Sequence, residues 1–205
     1  MKTTIAAVFL LLAVLSRPAI AAPQVFDFKD PKGVNNAMFK LDAPLEAVSG
    51  SGNGISGTVT FDPDNPGATK GKITLAAASL KVANPMQQEH LHGKMWLDVQ
   101  KFPEITFELK ELKNGKTGEE VTIGDADGIF TLKGVSKEII VPVKLTLLKG
   151  KLGQRVPNLK GDLLVIRANF VIKRSDFNIN PGQMEDKVSD VIELTLSIAG
   201  AAPQQ

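Results

Sequence analysis

Beyond residue 23 the apolar residues of this chain recur mainly at every second position, the repeat of a strand with one buried and one solvated face. Ile105, Phe107 and Leu109 alternate with Thr106, Glu108 and Lys110. Ile139, Val141, Val143, Leu145 and Leu147 alternate in the same way with Ile140, Pro142, Lys144 and Thr146, and Ile192, Leu194, Leu196 and Ile198 with Val191, Glu193, Thr195 and Ser197. These three runs are predicted strands. Shorter or less regular alternation predicts others at 24–28, 37–41, 55–61, 72–82, 120–132 and 163–172. Within 72–82 the apolar phase slips between Ala77 and Leu80, which predicts a bulge. Residues 85–99 read as the one helix, with Pro85 in its first turn and Leu91, Met95 and Val99 at a spacing of four.

The spacers carry turn chemistry. Asn114-Gly115 lies between two alternating runs, where a tight hairpin needs positive φ at both central residues. Asp62-Pro63-Asp64-Asn65-Pro66-Gly67 and Asn180-Pro181-Gly182 read as loops. Asp125-Ala126-Asp127-Gly128 reads as a turn, because it lacks the further acids at the offsets a calcium loop requires. Many short strands, one helical insertion and no repeated βα unit define an all-β domain, either a sandwich or a closed barrel. Each long strand offers four or five large apolar residues, more than a thin two-layer core requires. That richness favours an antiparallel lipocalin-like β-barrel of about eight strands with a short helical insertion.

The N-terminus stands apart from this pattern. Lys2 precedes an unbroken apolar run over 5–15, which Arg17-Pro18 closes and Ala19-Ile20-Ala21 follows. The run is well short of the roughly 20 residues that span a bilayer, so residues 1–21 read as a signal peptide cut before Ala22. The mature domain, 22–205, is then expected in the bacterial periplasm or outside the cell, without a stable membrane anchor. Cleavage takes Lys2 and Arg17 from the 24 basic residues and nothing from the 22 acidic ones, so the net charge of +2 falls to zero. Any hint of a nucleic-acid partner goes with it. The chain has no cysteine, which excludes disulfides, a thiol nucleophile, a cysteine zinc site and a lipidated cut site, and leaves apolar burial to supply the stability.

Candidate chemistry is sparse. Gly52-Asn53-Gly54-Ile55-Ser56-Gly57 has the GxGxxG spacing, but a loop is expected before it and a strand after it. A dinucleotide site needs a strand before and a helix after, so that the pyrophosphate meets a helix N-terminus; a flexible hairpin loop is expected instead. Glu89, His90 and His92 form the one cluster of ligand-capable side chains. Residues two apart on a helix diverge, whereas zinc needs three or four convergent ligands. His90 is therefore expected to hydrogen-bond backbone near a loop and His92 to be solvated, with no metal and no cofactor. Neither a GxSxG elbow nor an HExxH helix is present, and no catalytic residue is assigned. A Ser, His90 and Asp set drawn from distant positions is the enzymatic alternative left open.

Several short segments point to a family. They are His90-Leu91, Lys101-Phe102-Pro103 followed by Ile105-Thr106-Phe107, and Thr131-Leu132 followed by Gly134-Val135-Ser136-Lys137. More specific are Arg174-Ser175-Asp176-Phe177-Asn178-Ile179 and Val188-Ser189-Asp190-Val191. In order and spacing, 87–194 resembles the YceI-like family, periplasmic polyisoprenoid-binding proteins with a lipocalin-like barrel. Family members usually carry a charged cluster where this chain has Gln87, Gln88 and His92.

The resemblance implies a non-catalytic protein that binds, and transports or stores, a long-chain isoprenoid or other fatty amphiphile. The wall residues it implies are Val59, Phe61, Ile73, Leu75, Ile105, Phe107, Phe130, Leu132, Val143, Leu145, Ile166, Phe170, Ile192 and Leu194, with Trp96 closing one mouth. Burying a prenyl or acyl chain gains about 0.8 kcal/mol per CH₂, so ten groups give a gross ~8 kcal/mol before ordering costs, compatible with micromolar affinity. Two other readings remain: a filled barrel acting through its surface as a stress-related interaction module, and a hydrolase or metal protein built on His90. The oligomeric state is open, a dimer included.

Overall fold

Period-two alternation becomes strand nearly everywhere it was expected. The computed structural model describes residues 23–204; the expected signal peptide lies outside the described residues. The strands are β1 (Gln24–Asp27), β2 (Asn36–Asp42), β3 (Ala47–Gly52), β4 (Ile55–Phe61), β5 (Lys70–Ala76), β6 (Lys81–Val82), β7 (Glu104–Thr117), β8 (Val121–Leu132), β9 (Val135–Leu148), β10 (Gly161–Lys173) and β11 (Val191–Pro203). Two short helices, α1 (Pro85–His92) and α2 (Leu152–Arg155), lie between them. All pairings are antiparallel.

The eleven segments make eight staves. β1 and β2 are successive parts of one stave, because β4 and β3, the parts of the next, pair with them in turn. β5 and β6 divide a third stave in the same way against β4 and β3. β7 to β11 follow in order, and β11 closes the ring on both β2 and β1. The result is a closed, eight-strand, up-and-down antiparallel barrel, a closure that leaves no long free sheet edge. Because the staves alternate in direction, 43–46, the insertion 83–103, the turn at 133–134 and the segment 174–190 gather at one end. The links 62–69, 118–120 and 149–160 gather at the other.

Where the structure departs from expectation, pairing has overridden local turn signals. Asn114-Gly115 is no hairpin turn: both residues lie inside β7. Asn114 does have φ +54°, but between the pairs Lys113↔Asp125 and Lys116↔Ile123 two β7 residues face the single Gly124, which makes a bulge. The hairpin closes beyond it, where Gly118 N–H donates to the Val121 carbonyl at 2.8 Å. Asp125-Ala126-Asp127-Gly128 is not a turn either; it runs through the middle of β8, paired on both sides. Its acids have partners on β7: Lys113 forms an ion pair with Asp127 at 2.5 Å, and the Asn114 amide donates to Asp125 at 2.7 Å.

The slip expected as a bulge in 72–82 is a sharper break. A 3-10 turn at Ala77–Ser79 separates β5 from β6. The segment before Gly52-Asn53-Gly54-Ile55-Ser56-Gly57 is a strand, β3, which the sequence pattern did not predict. β3 and β4 do not pair with each other, so the segment is a kink within one stave and not a hairpin loop. The helix expected over 85–99 is only α1. Asn84 Oδ1 caps it by accepting from the N–H groups of Met86 and Gln87, and Gly93 leaves the helical region at φ −71°, ψ 167°.

Candidate functional site

The inward residues of the staves enclose a cavity of about 230 Å³ on the barrel axis. Toward the end that carries 62–69 and 149–160 it is bounded by Val59 of β4, Leu145 of β9 and Ile166 of β10, part of a buried cluster that also holds Phe26, Phe28, Phe61 and Leu164. Toward the other end it is bounded by Ile105 and Phe107, Phe130 and Leu132, Phe170, and Ile192 and Leu194. Ile73 and Leu75 of β5 and Val143 of β9 complete the middle. Every expected wall residue therefore lines the cavity except Phe61. Phe61 is 2% exposed and packs with Phe26 and Phe28 in a plug that seals the narrow end. Gly200 makes room for that plug, since a Cβ there would lie 2.6 Å from the Phe28 ring.

Trp96 lines the cavity, as expected, but from the turns after α1 and not from a helix. The insertion is sewn down by Leu97 N–H to the Leu91 carbonyl, Val99 N–H to the His92 carbonyl, and Ala77 N–H to the Pro103 carbonyl. Lys133, in the turn after β8, donates its Nζ to the Met95 carbonyl at 3.0 Å. Burial holds the Lys133 ammonium below its ordinary range, against the pull of Asp98.

The expected roles of the two histidines are exchanged. His90 is exposed, whereas His92 is half-buried with Nε2 2.8 Å from the Leu80 carbonyl. Gln88 accepts from Val82 N–H at 2.8 Å and donates to the Leu80 carbonyl at 2.9 Å, so its amide borders β6 as a neighbouring strand would. None of Gln87, Gln88, His90 or His92 lines the cavity. Among the described residues no group of three His, Cys, Asp or Glu is placed to hold a metal.

Among the described residues the wall is apolar apart from threonines and a single charged side chain, Arg174. It is 0% exposed. Its guanidinium sits 5.9 Å from the Trp96 ring centre. Nε donates to the Ser189 carbonyl, Nη1 to those of Ile179 and Asn180, and Nη2 to those of Gln183 and Val188. All five N–H donors of the fork are thereby used, and 179–189 is folded around them, with Ile179 also lining the cavity. Sequence reasoning assigned Arg174 no role. Extending the inward period of Phe170 and Ile172 by two residues would have placed it on the wall.

A model of the YceI-like domain matches residues 32–200. The chain belongs to the YceI-like family. A UPF0312 protein of Yersinia pestis is 36% identical to it over 151 residues, 74% of this chain and 72% of the relative. Among solved structures, the YceI-like chain is similar to BcnA of Burkholderia cenocepacia, with TM-score 0.64 and 21% identity over 80% of this chain and 94% of that one. It is also similar to a polyisoprenoid binding domain of Saccharophagus degradans, with TM-score 0.61 and 10% identity over 89% and 100%. At these identities the two structural likenesses are likenesses of fold.

Proposed function

We propose that this YceI-like protein binds a single-chain amphiphile, an isoprenoid or fatty lipid, in the barrel interior, and carries or stores it without chemical change in the periplasm or outside the cell. The observation that carries the reading is the void itself: an apolar-walled cavity, plugged at one end, in a fold shared with a domain described as polyisoprenoid binding. A core packed for stability alone fills such space, since interiors reach crystal-like density. At roughly 10–15 Å³ of such space for each water-sized group, about 230 Å³ admits on the order of 15 to 20 carbon-sized groups. At about 0.8 kcal/mol per CH₂ these groups give a gross ~12–16 kcal/mol, and micromolar binding, about 8 kcal/mol, leaves the remainder to meet ordering costs. The void favours this reading over a filled barrel that acts only through its surface, and the exposure of His90, away from the wall, weighs against a hydrolase or metal protein built on it.

The experiment is mass spectrometry of an organic extract of the native, folded protein, followed by titration of delipidated protein with a polyprenyl alcohol while Trp96 emission is read. A stoichiometric lipid and a saturable change in emission are expected. An empty extract together with an unchanged emission would refute the carrier.

A further inference from the structure

We propose that the mouth selects amphiphiles with an anionic head, a carboxylate or phosphate ester, and that Arg174 is the residue that selects them; this rests on the lipid-binding reading above. The guanidinium is fully buried and, among the described residues, is the one charged group on the cavity wall. Its partners are carbonyl oxygens. They satisfy the N–H groups but carry no net charge. Among the described residues no carboxylate lies within ion-pair distance of it. Asp190, which follows the mouth segment, accepts from Ser175 N–H at 2.9 Å and from Ser175 Oγ at 2.8 Å, and does not line the cavity.

Buried charges are ordinarily paired. Here the missing counter-charge belongs on the cavity side, where Arg174 and Trp96 both line the wall. Asn180, whose backbone carbonyl accepts from Arg174, does not line the cavity. A head oxygen at this part of the wall would meet the cation's field, with no carboxylate there to cancel it. On α1, Gln88 and His92 are held against Leu80 and Val82 and do not line the cavity. Head selection therefore falls to the opposite wall of the mouth. A cationic head would be repelled at the same place.

The test uses delipidated wild-type protein and four probes below their aggregation concentrations, hexadecanoate, geranylgeranyl phosphate, hexadecanol and hexadecylamine, with Trp96 emission as the readout and the pH well above the carboxylate range. Both anionic probes should bind at least about tenfold more tightly than hexadecanol, and the amine at least about tenfold less tightly, as expected for charges several ångströms apart in a poorly solvated site. The order should persist from about 0.15 to 1 M salt, because a buried charge is little screened. In R174Q the ratio between hexadecanoate and hexadecanol should fall toward one. Should that variant fail to fold, the wild-type order still decides. Equal affinities for the carboxylate, alcohol and amine, or a preference that high salt erases and surface lysines explain, would overturn the proposal while leaving the lipid cavity standing. Failure of every probe to bind would remove the cavity reading itself.

Discussion

Ala168→Leu separates a working void from a packed core, because the two predict opposite signs for stability. Ala168 is 4% exposed, faces the cavity from β10, and sits between Val143 of β9 and Leu196 of β11, which also line it. Leucine adds roughly three carbons, worth about 2 kcal/mol if they enter empty apolar space, less about 0.5–1 kcal/mol of side-chain entropy. The free protein should gain about 1–1.5 kcal/mol, which at about 2–4 °C per kcal/mol for a domain of this size raises Tm by roughly 2–6 °C. The same carbons displace as many of the ligand's, so affinity for a hexadecyl or geranylgeranyl chain should fall by about 2 kcal/mol, on the order of 30-fold. Thermal melts followed by circular dichroism and a Trp96 titration on the same sample read both quantities. If the variant melts lower by the 1–3 kcal/mol typical of overpacking, the space is not empty. If it binds as the wild type does, the lipid lies elsewhere.

Phe107→Asp places a carboxylate against the apolar wall, in space that Gly128 opens for the ring, and should cost more than about 4 kcal/mol and abolish folding or binding, as far-UV circular dichroism and the lipid titration would show. Lys110→Asp, on the outer face, loses only the exposed pair with Glu138 and should shift denaturant midpoints by less than about 1 kcal/mol. Asp30, whose side chain is 2% exposed, accepts from Asn35 N–H and faces Arg155 at 3.3 Å. Burial pushes its carboxyl up, but the Asn35 N–H and Arg155 outweigh that and hold it below the usual range. A lowered folded-state value stabilises above the unfolded pKa of about 3.9 and loses that contribution as pH falls through the folded value. Asp30→Asn should therefore cost about 2–3 kcal/mol at neutral pH, and the gap from wild type should close in urea melts as pH drops below about 4. Gly57→Ala meets the Lys72 carbonyl at 2.0 Å with φ at +122°, and a loss above about 3 kcal/mol is expected in the same melts.

The barrel was legible because its long staves are half-buried, and a half-buried strand writes its face into the sequence at period two. β7, β9 and β11 do so plainly. β3 does not: Ala47, Val48, Ser49, Gly50, Ser51 and Gly52 contain one large apolar residue, since Gly50 must leave room for the Phe39 ring. The misread turns share a cause. Asn-Gly and Asp-Gly pairs favour turns in isolation, but Asn114 and Asp127 are held in mid-sheet by partners on adjacent staves, which the sequence does not reveal.

The wall was legible for the same reason, and its two gaps are physical. Phe61 has the right phase but lies too far along its stave, beyond Val59, where the narrow end is filled by Phe26 and Phe28; period fixes the face of a residue and not its height. Arg174 has the right phase as well, yet a charge at an inward position reads as the point where a strand leaves the core. That inference fails only if the chain beyond supplies enough acceptors to bury a guanidinium, and 179–189 supplies five backbone carbonyls. The charge is thereby kept inside the barrel, on the cavity wall, instead of at its surface, which is the placement the proposed selection of an anionic head requires.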